Sequence, residues 1–132
     1  MPSLWSWLSF EGRLRRSEFW GRVVAVIPLV ACGAMLVWFV ISDTRSGPIR
    51  VFALVAVALF GVVVALANLA THVRRWHDRD KSGWWILIGL IPIVGPIWSI
   101  VECGFLDGTP GPNRFGPSPK SVDLARDIGY LA

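Results

Sequence analysis

Six basic side chains, Arg13, Arg16, Arg74, Arg75, Arg79 and Lys81, stand in two short segments of an otherwise apolar chain, with Glu18 and Asp78 among them. Guanidinium forks match the oxygens of carboxylates and phosphates. Two chemistries follow. One is an anion or partner site, for which a phospholipid headgroup is the nearest phosphate. The other is a set of ion pairs, in which Glu18 and Asp78 lock segment ends together while the cations anchor topology; this simpler reading is preferred, because polybasic loops are expected in any inner-membrane protein. His72, His77 and Asp78 invite a metal or general-base role, but His72 and His77 are about 140° apart round a helix, and no cysteine cluster accompanies them. Ser99 has no neighbouring histidine and no Gly-x-Ser-x-Gly elbow. The run Gly108-Thr109-Pro110-Gly111-Pro112 is stiffened by proline and lacks a following Lys-Ser/Thr, so it does not cradle phosphate. Neither catalysis, metal nor cofactor is implied.

The elements that must position these groups are apolar. Val23 to Ile41, Val51 to Val73 and Trp84 to Val101 carry no charge over 19, 23 and 18 residues. As helices they reach about 27–34 Å, against about 30 Å of bilayer hydrocarbon. The hydrophobic share of 54% and the mean hydropathy of +0.55 agree with a membrane protein. The charge of +4 flanks the apolar stretches instead of forming a stripe on a polar fold, which argues against nucleic acid. Cys32 and Cys103 lie in or at the end of apolar stretches, so no disulfide framework follows. Leu29-Val30-Ala31-Cys32-Gly33 resembles a lipoprotein cleavage box. Two further apolar stretches after it, and Pro28 within the short run before it, make that a coincidence.

Lys and Arg number four before the first stretch, two in residues 42–50, four in residues 74–83 and three in the tail. The positive-inside rule then puts the N-terminus and the 74–83 loop in the cytoplasm, with the first turn and the tail outside. Glu102 falls at the outer surface. Tryptophans at the ends of the stretches fit an interfacial belt, and Leu4, Trp5, Trp7, Leu8 and Phe10 suit a short surface hook. The third stretch holds Gly89, Pro92, Gly95 and Pro96, so a kinked crossing is expected, with a hairpin of two half-helices as the alternative. Asn68 and His72, at i and i+4, are the deepest polar pair and are expected to bond across to a neighbouring helix or reach the interface. Gly61 with Ala65, and Gly95 with Ser99, are spaced for close helix contact. Asn113 and Arg114 are read as a rigid tail turn capping the last helix, and Ser121 to Tyr130 as a marginal helix.

Three motifs spell something more specific. Phe10-x-Gly12-Arg13-x-x-Arg16-x-Glu18-Phe19-Trp20 precedes the first stretch. Arg74-Arg75-x-His77-Asp78 with Ser82-Gly83-Trp84-Trp85 precedes the last, and Gly108 to Pro117 follows it. In this order and spacing the chain resembles the domain-of-unknown-function 805 family of small bacterial inner-membrane proteins, over roughly residues 10–119, leaving 120–132 as a polar tail. The family usually has a small polar residue where Arg15 stands and a glycine where Asp80 stands. The resemblance implies membrane location and fold, and no activity. The expectation is one all-α membrane domain of 1–132, with three spans and a surface hook. Its function would be non-enzymatic binding of a partner protein, a second copy or anionic lipid; a subunit of a small oligomeric transporter or channel is the alternative.

Overall fold

The computed structural model describes residues 5–42 and 47–129. Leu4, the turn residues 43–46 and Tyr130 lie outside these. All named elements are helical: α1 (Trp5–Leu8), α2 (Arg16–Ser42), α3 (Pro48–Asp78), a 3-10 helix (Gly83–Leu90), α4 (Val94–Ile100) running into a π-helical turn (Val101–Phe105), and α5 (Pro119–Asp127). At about 1.5 Å per residue α2 and α3 are about 40 and 46 Å long, enough to cross a bilayer and project beyond it. Glu18, three residues past Arg15, accepts a hydrogen bond from the Arg15 N–H at 3.1 Å; this is half of a capping box and sets where α2 starts. Pro48 opens α3, where a missing N–H costs nothing.

α2 and α3 pack on each other but leave their apolar side chains uncovered: Met35, Phe39 and Phe52 are each about 70% exposed or more. A bilayer supplies what covers them. Between the helices runs a crevice of about 470 Å³ lined by Val26, Gly33, Val57 and Gly61. Gly61 therefore borders open space and makes no close helix contact. The buried core lies at one end, in Leu14, Phe19, Trp76 and Cys103, with Val23, Ile86 and Ile88 packed against it.

The third apolar stretch folds back on itself. Its 3-10 arm is about 16 Å long at 2.0 Å per residue, and its return arm, Val94 to Phe105, about 18 Å; each spans roughly half the hydrocarbon. Both outer ends meet the same end of α3. Gly83 lies against Val73, and Glu102 pairs with Arg79 and Lys81. Glu102 and the tail turn thus stand at the same end of the helices as Arg13. Of the two conformations expected for this segment, the hairpin is the one taken, in place of a continuous kinked helix, and the reason is local. Pro92 interrupts the bonding pattern, Ile93 takes φ 68° and ψ −60°, and the Val94 N–H donates to the Pro92 carbonyl at 2.7 Å, a γ-turn that reverses the chain. Gly95 lets the two arms touch: a Cβ there would sit 1.9 Å from the Ile88 carbonyl oxygen.

The end of α3 is equally specific. Asp80 N–H donates to His77 O and Lys81 N–H to Trp76 O, each at 3.0 Å. That is a Schellman cap with Asp80 in the left-handed position, φ 57°, usually filled by glycine. Comparison of Asp80→Gly with Asp80→Ala cancels the exposed Arg114–Asp80 ion pair (3.3 Å), which both lose. Thermal unfolding in detergent is expected to rank the glycine variant about 1–2 kcal/mol more stable than the alanine variant.

Candidate functional site

At the end of α3 one carboxylate holds two arginines. The turn at Gly12, φ +79°, and the Leu14 N–H bond to Arg74 O at 3.3 Å bring Arg13 across to α3. Arg13 Nε donates to Asp78 Oδ1 at 2.9 Å, and Arg75 Nη1 donates to Asp78 Oδ2. The three side chains are 2%, 0% and 6% exposed for Arg13, Arg75 and Asp78. Buried charge is tolerable only when its remaining donors are met, and backbone carbonyls meet them. Arg13 donates to Thr109 O (2.7 Å) and Gly111 O (2.6 Å); Arg75 donates to Cys103 O (2.6 Å) and Leu106 O. Gly108 lets the backbone pass beside the carboxylate, for a Cβ there would lie 1.9 Å from Asp78 Oδ2. Burial lowers the Arg75 pKa while Asp78 raises it; a guanidinium stays protonated regardless.

A second ring surrounds this centre. Glu102 binds Arg79 at 3.1 Å and Lys81 at 2.9 Å, and Lys81 lies over the Trp85 ring at 4.7 Å. Arg16 donates to Phe105 O at 3.0 Å and approaches Asp107 at 3.8 Å. Trp20 Nε1 donates to Gly104 O at 2.9 Å. The tail turn fastens onto carbonyls at and just past the end of α3: Asn113 Nδ2 donates to His77 O at 3.0 Å, Thr109 N to Asp78 O at 2.8 Å, and Arg114 Nη2 to Asp80 O at 2.7 Å. His77 stacks on Phe115 at 3.8 Å. Burial pushes its pKa below the ordinary value, partly offset by its hydrogen bond with the Gly12 carbonyl, so at neutral pH it is an uncharged spacer.

The six predicted cations thus gather at one end, but they do not form an open cluster. Arg13, Arg75, Arg79 and Lys81 are engaged by Asp78 and Glu102, and Arg16 by Phe105 and Asp107. Arg74 donates instead to the Ser6 carbonyl at 2.9 Å. Asp78 pairs two arginines as a locking residue would, whereas Glu18 has no arginine within ion-pair distance among the described residues and caps α2. His72 Nδ1 bonds the Asn68 carbonyl within its own helix at 2.9 Å. With Ser99, Asn68 and His72 line a groove of about 480 Å³ between α3 and the hairpin. Sequence reasoning missed the inward role of Glu102 and the bond that Arg22 donates to the same Ser6 carbonyl, at 3.1 Å. The signal for Arg22 was its position, immediately before a charge-free stretch.

These features define an all-helical membrane protein: two long apolar helices, a shorter folded-back apolar segment, and an ion-paired headpiece at one end. The chain belongs to the family described as "Protein of unknown function (DUF805)", whose model matches residues 7–117, as the three motifs implied. It is 37% identical over 120 residues to "Inner membrane protein YhaH" of Escherichia coli (strain K12), covering 87% of this chain and 90% of that one. It is 33% identical over 125 residues to "Inner membrane protein YhaI" of the same strain, covering 87% and 89%. "Uncharacterized protein YiiR" of that strain is 28% identical over 146 residues, covering 92% and 93%. No solved structure matches the chain at a significant level.

Proposed function

We propose that this chain is a non-enzymatic inner-membrane docking module. Its headpiece is cytoplasmic, and its hairpin tip meets a second copy of the chain within the bilayer. The observation that carries this reading is the tip itself. Leu90 and Ile93 are each 77% exposed around an irregular backbone that reaches about half the hydrocarbon depth, where such backbone persists only if protein or a wet cavity covers it. Orientation is supported by the tail joining the N-terminus: eleven of the 13 Lys and Arg residues belong to segments at that end, against two in the 42–50 turn. The non-enzymatic reading is supported by the commitment of the buried charged groups to structural bonds. The buried Arg13 and Arg75 are spent on that frame, so contact with an acidic partner protein falls to exposed cations at its rim, Arg16, Arg114 and Lys120.

A second reading, the subunit of an oligomeric channel or transporter, is favoured by the groove that collects Asn68, His72 and Ser99 beside the hairpin. Both readings require an assembly. In a Cys32→Ala background, Ile93→Cys is expected to cross-link into a dimer in native membranes, and native mass spectrometry from mild detergent to show a dimer or larger species. A monomer with no cross-link and no co-purified membrane protein would remove both. Ion flux through liposomes containing the protein, abolished by Asn68→Leu, would select the second.

A further inference from the structure

Arg22 and Arg74 are placed unlike the other headpiece cations. Arg13, Arg15, Arg16, Arg75, Arg79, Lys81, Arg114 and Lys120 each lie within 4.0 Å of a carboxylate. Among the described residues Arg22 and Arg74 have none. Both are half-buried, and both donate to one neutral atom, the Ser6 carbonyl oxygen, at 3.1 and 2.9 Å. Trp7 covers the Arg22 guanidinium at 4.9 Å. The Ser6 hydroxyl and the Arg74 Nε are buried with no hydrogen-bond partner. A guanidinium carries five donors, so a single carbonyl leaves most of this pair unmet, and two like charges converging on it repel; the Glu18 carboxylate, beyond ion-pair distance, offsets this only in part.

Their position along the chain says which anion is within reach. Arg22 immediately precedes the charge-free stretch that begins at Val23, and Arg74 immediately follows the one that ends at Val73. Both therefore stand where hydrocarbon gives way to headgroups, beside α1, whose Trp5 is 80% exposed and suited to that level. Phosphate is the anion that a bilayer presents there, and two forks suit it better than one. We infer that Arg22, Arg74 and Ser6 form a binding site for the phosphate of an anionic glycerophospholipid. The site needs no oligomer and stands independently of the docking reading.

Native mass spectrometry of the detergent-solubilised full chain titrated with phosphatidylglycerol tests it, with inorganic phosphate as a second arm. The wild-type chain is expected to retain the lipid, and Arg22→Gln or Arg74→Gln to weaken it about tenfold or more, as loss of a charge-assisted hydrogen bond does. Arg15→Gln, which removes a partly exposed cation at the same end that is paired with Asp123, is expected to leave retention unchanged. Inorganic phosphate is expected to bind far more weakly than the lipid; equal affinity for the two would assign the site to a soluble anion and overturn the lipid. Equal lipid retention by all variants overturns the site, as does an equal loss in Arg15→Gln, which would mean diffuse attraction. Should the glutamine variants not fold, Arg74→Lys decides, because it keeps the charge and loses the fork: unchanged retention there overturns the proposal.

Discussion

Asp78→Asn is expected to destabilise the protein by about 3–5 kcal/mol, the largest effect of any single charge substitution in this chain. The substitution keeps the shape of the side chain and removes the negative charge that, among the described residues, pairs two buried guanidiniums. Arg13 and Arg75 would then repel within a buried site while their carbonyl partners stayed in place. The loss is also topological, since Arg13 holds the tail through Thr109 and Gly111. Thermal unfolding in detergent should show the drop, and limited proteolysis should cut residues 107–118 early. Asp123→Asn, which breaks an exposed pair with Arg15, should change stability by no more than about 0.5–1 kcal/mol. Similar results for the two variants would mean that the buried triad does not hold the headpiece.

Gly95→Ala is expected to cost about 3 kcal/mol or more and to reduce the amount of folded protein in the membrane. Its new methyl would stand 1.9 Å from the Ile88 carbonyl oxygen and 3.0 Å from Gly89 Cα. Both obstacles are backbone, so the arms themselves must separate. The return arm carries Glu102 and the Cys103 carbonyl to Arg79 and Arg75, so separation is felt in the headpiece. Gly89→Ala is the control: a methyl there meets nothing within 4 Å, and folded yield should be unchanged. If Gly95→Ala accumulated and unfolded like wild type, the hairpin geometry would be wrong.

The two long helices were legible because length and absence of charge are sufficient signals for them. The hairpin was not, because Trp84 to Val101 satisfies the same criterion of length. Pro92 and Gly95 announce a break but do not say whether the chain continues or returns. That choice is made by Glu102, Gly104 and Phe105, which find partners just past α3 and on α2, far away in sequence. The cations show a similar boundary. Charge counting placed Arg13, Arg16 and Arg74 to Lys81 together, yet counting does not reveal that Asp78 is shared, or that carbonyls from residues 103–111 complete its arginines. The left-handed turn at Asp80 was not legible, because an aspartate where the resemblance leads one to expect glycine makes such a turn less expected; the chain adopts it all the same, with φ 57°.

The grip of Arg13 on carbonyls nearly a hundred residues away has a consequence for biogenesis. During synthesis Arg13 emerges about a hundred residues ahead of Gly111, so the clasp cannot close until α2, α3 and the fold-back segment, which lie between the two, have all been made. α2 and α3 would enter the membrane as a preassembled pair, and the fold-back segment and tail turn would then seal them in one late step. A cut before Thr109 would therefore release Arg13 as surely as it removes the tail turn.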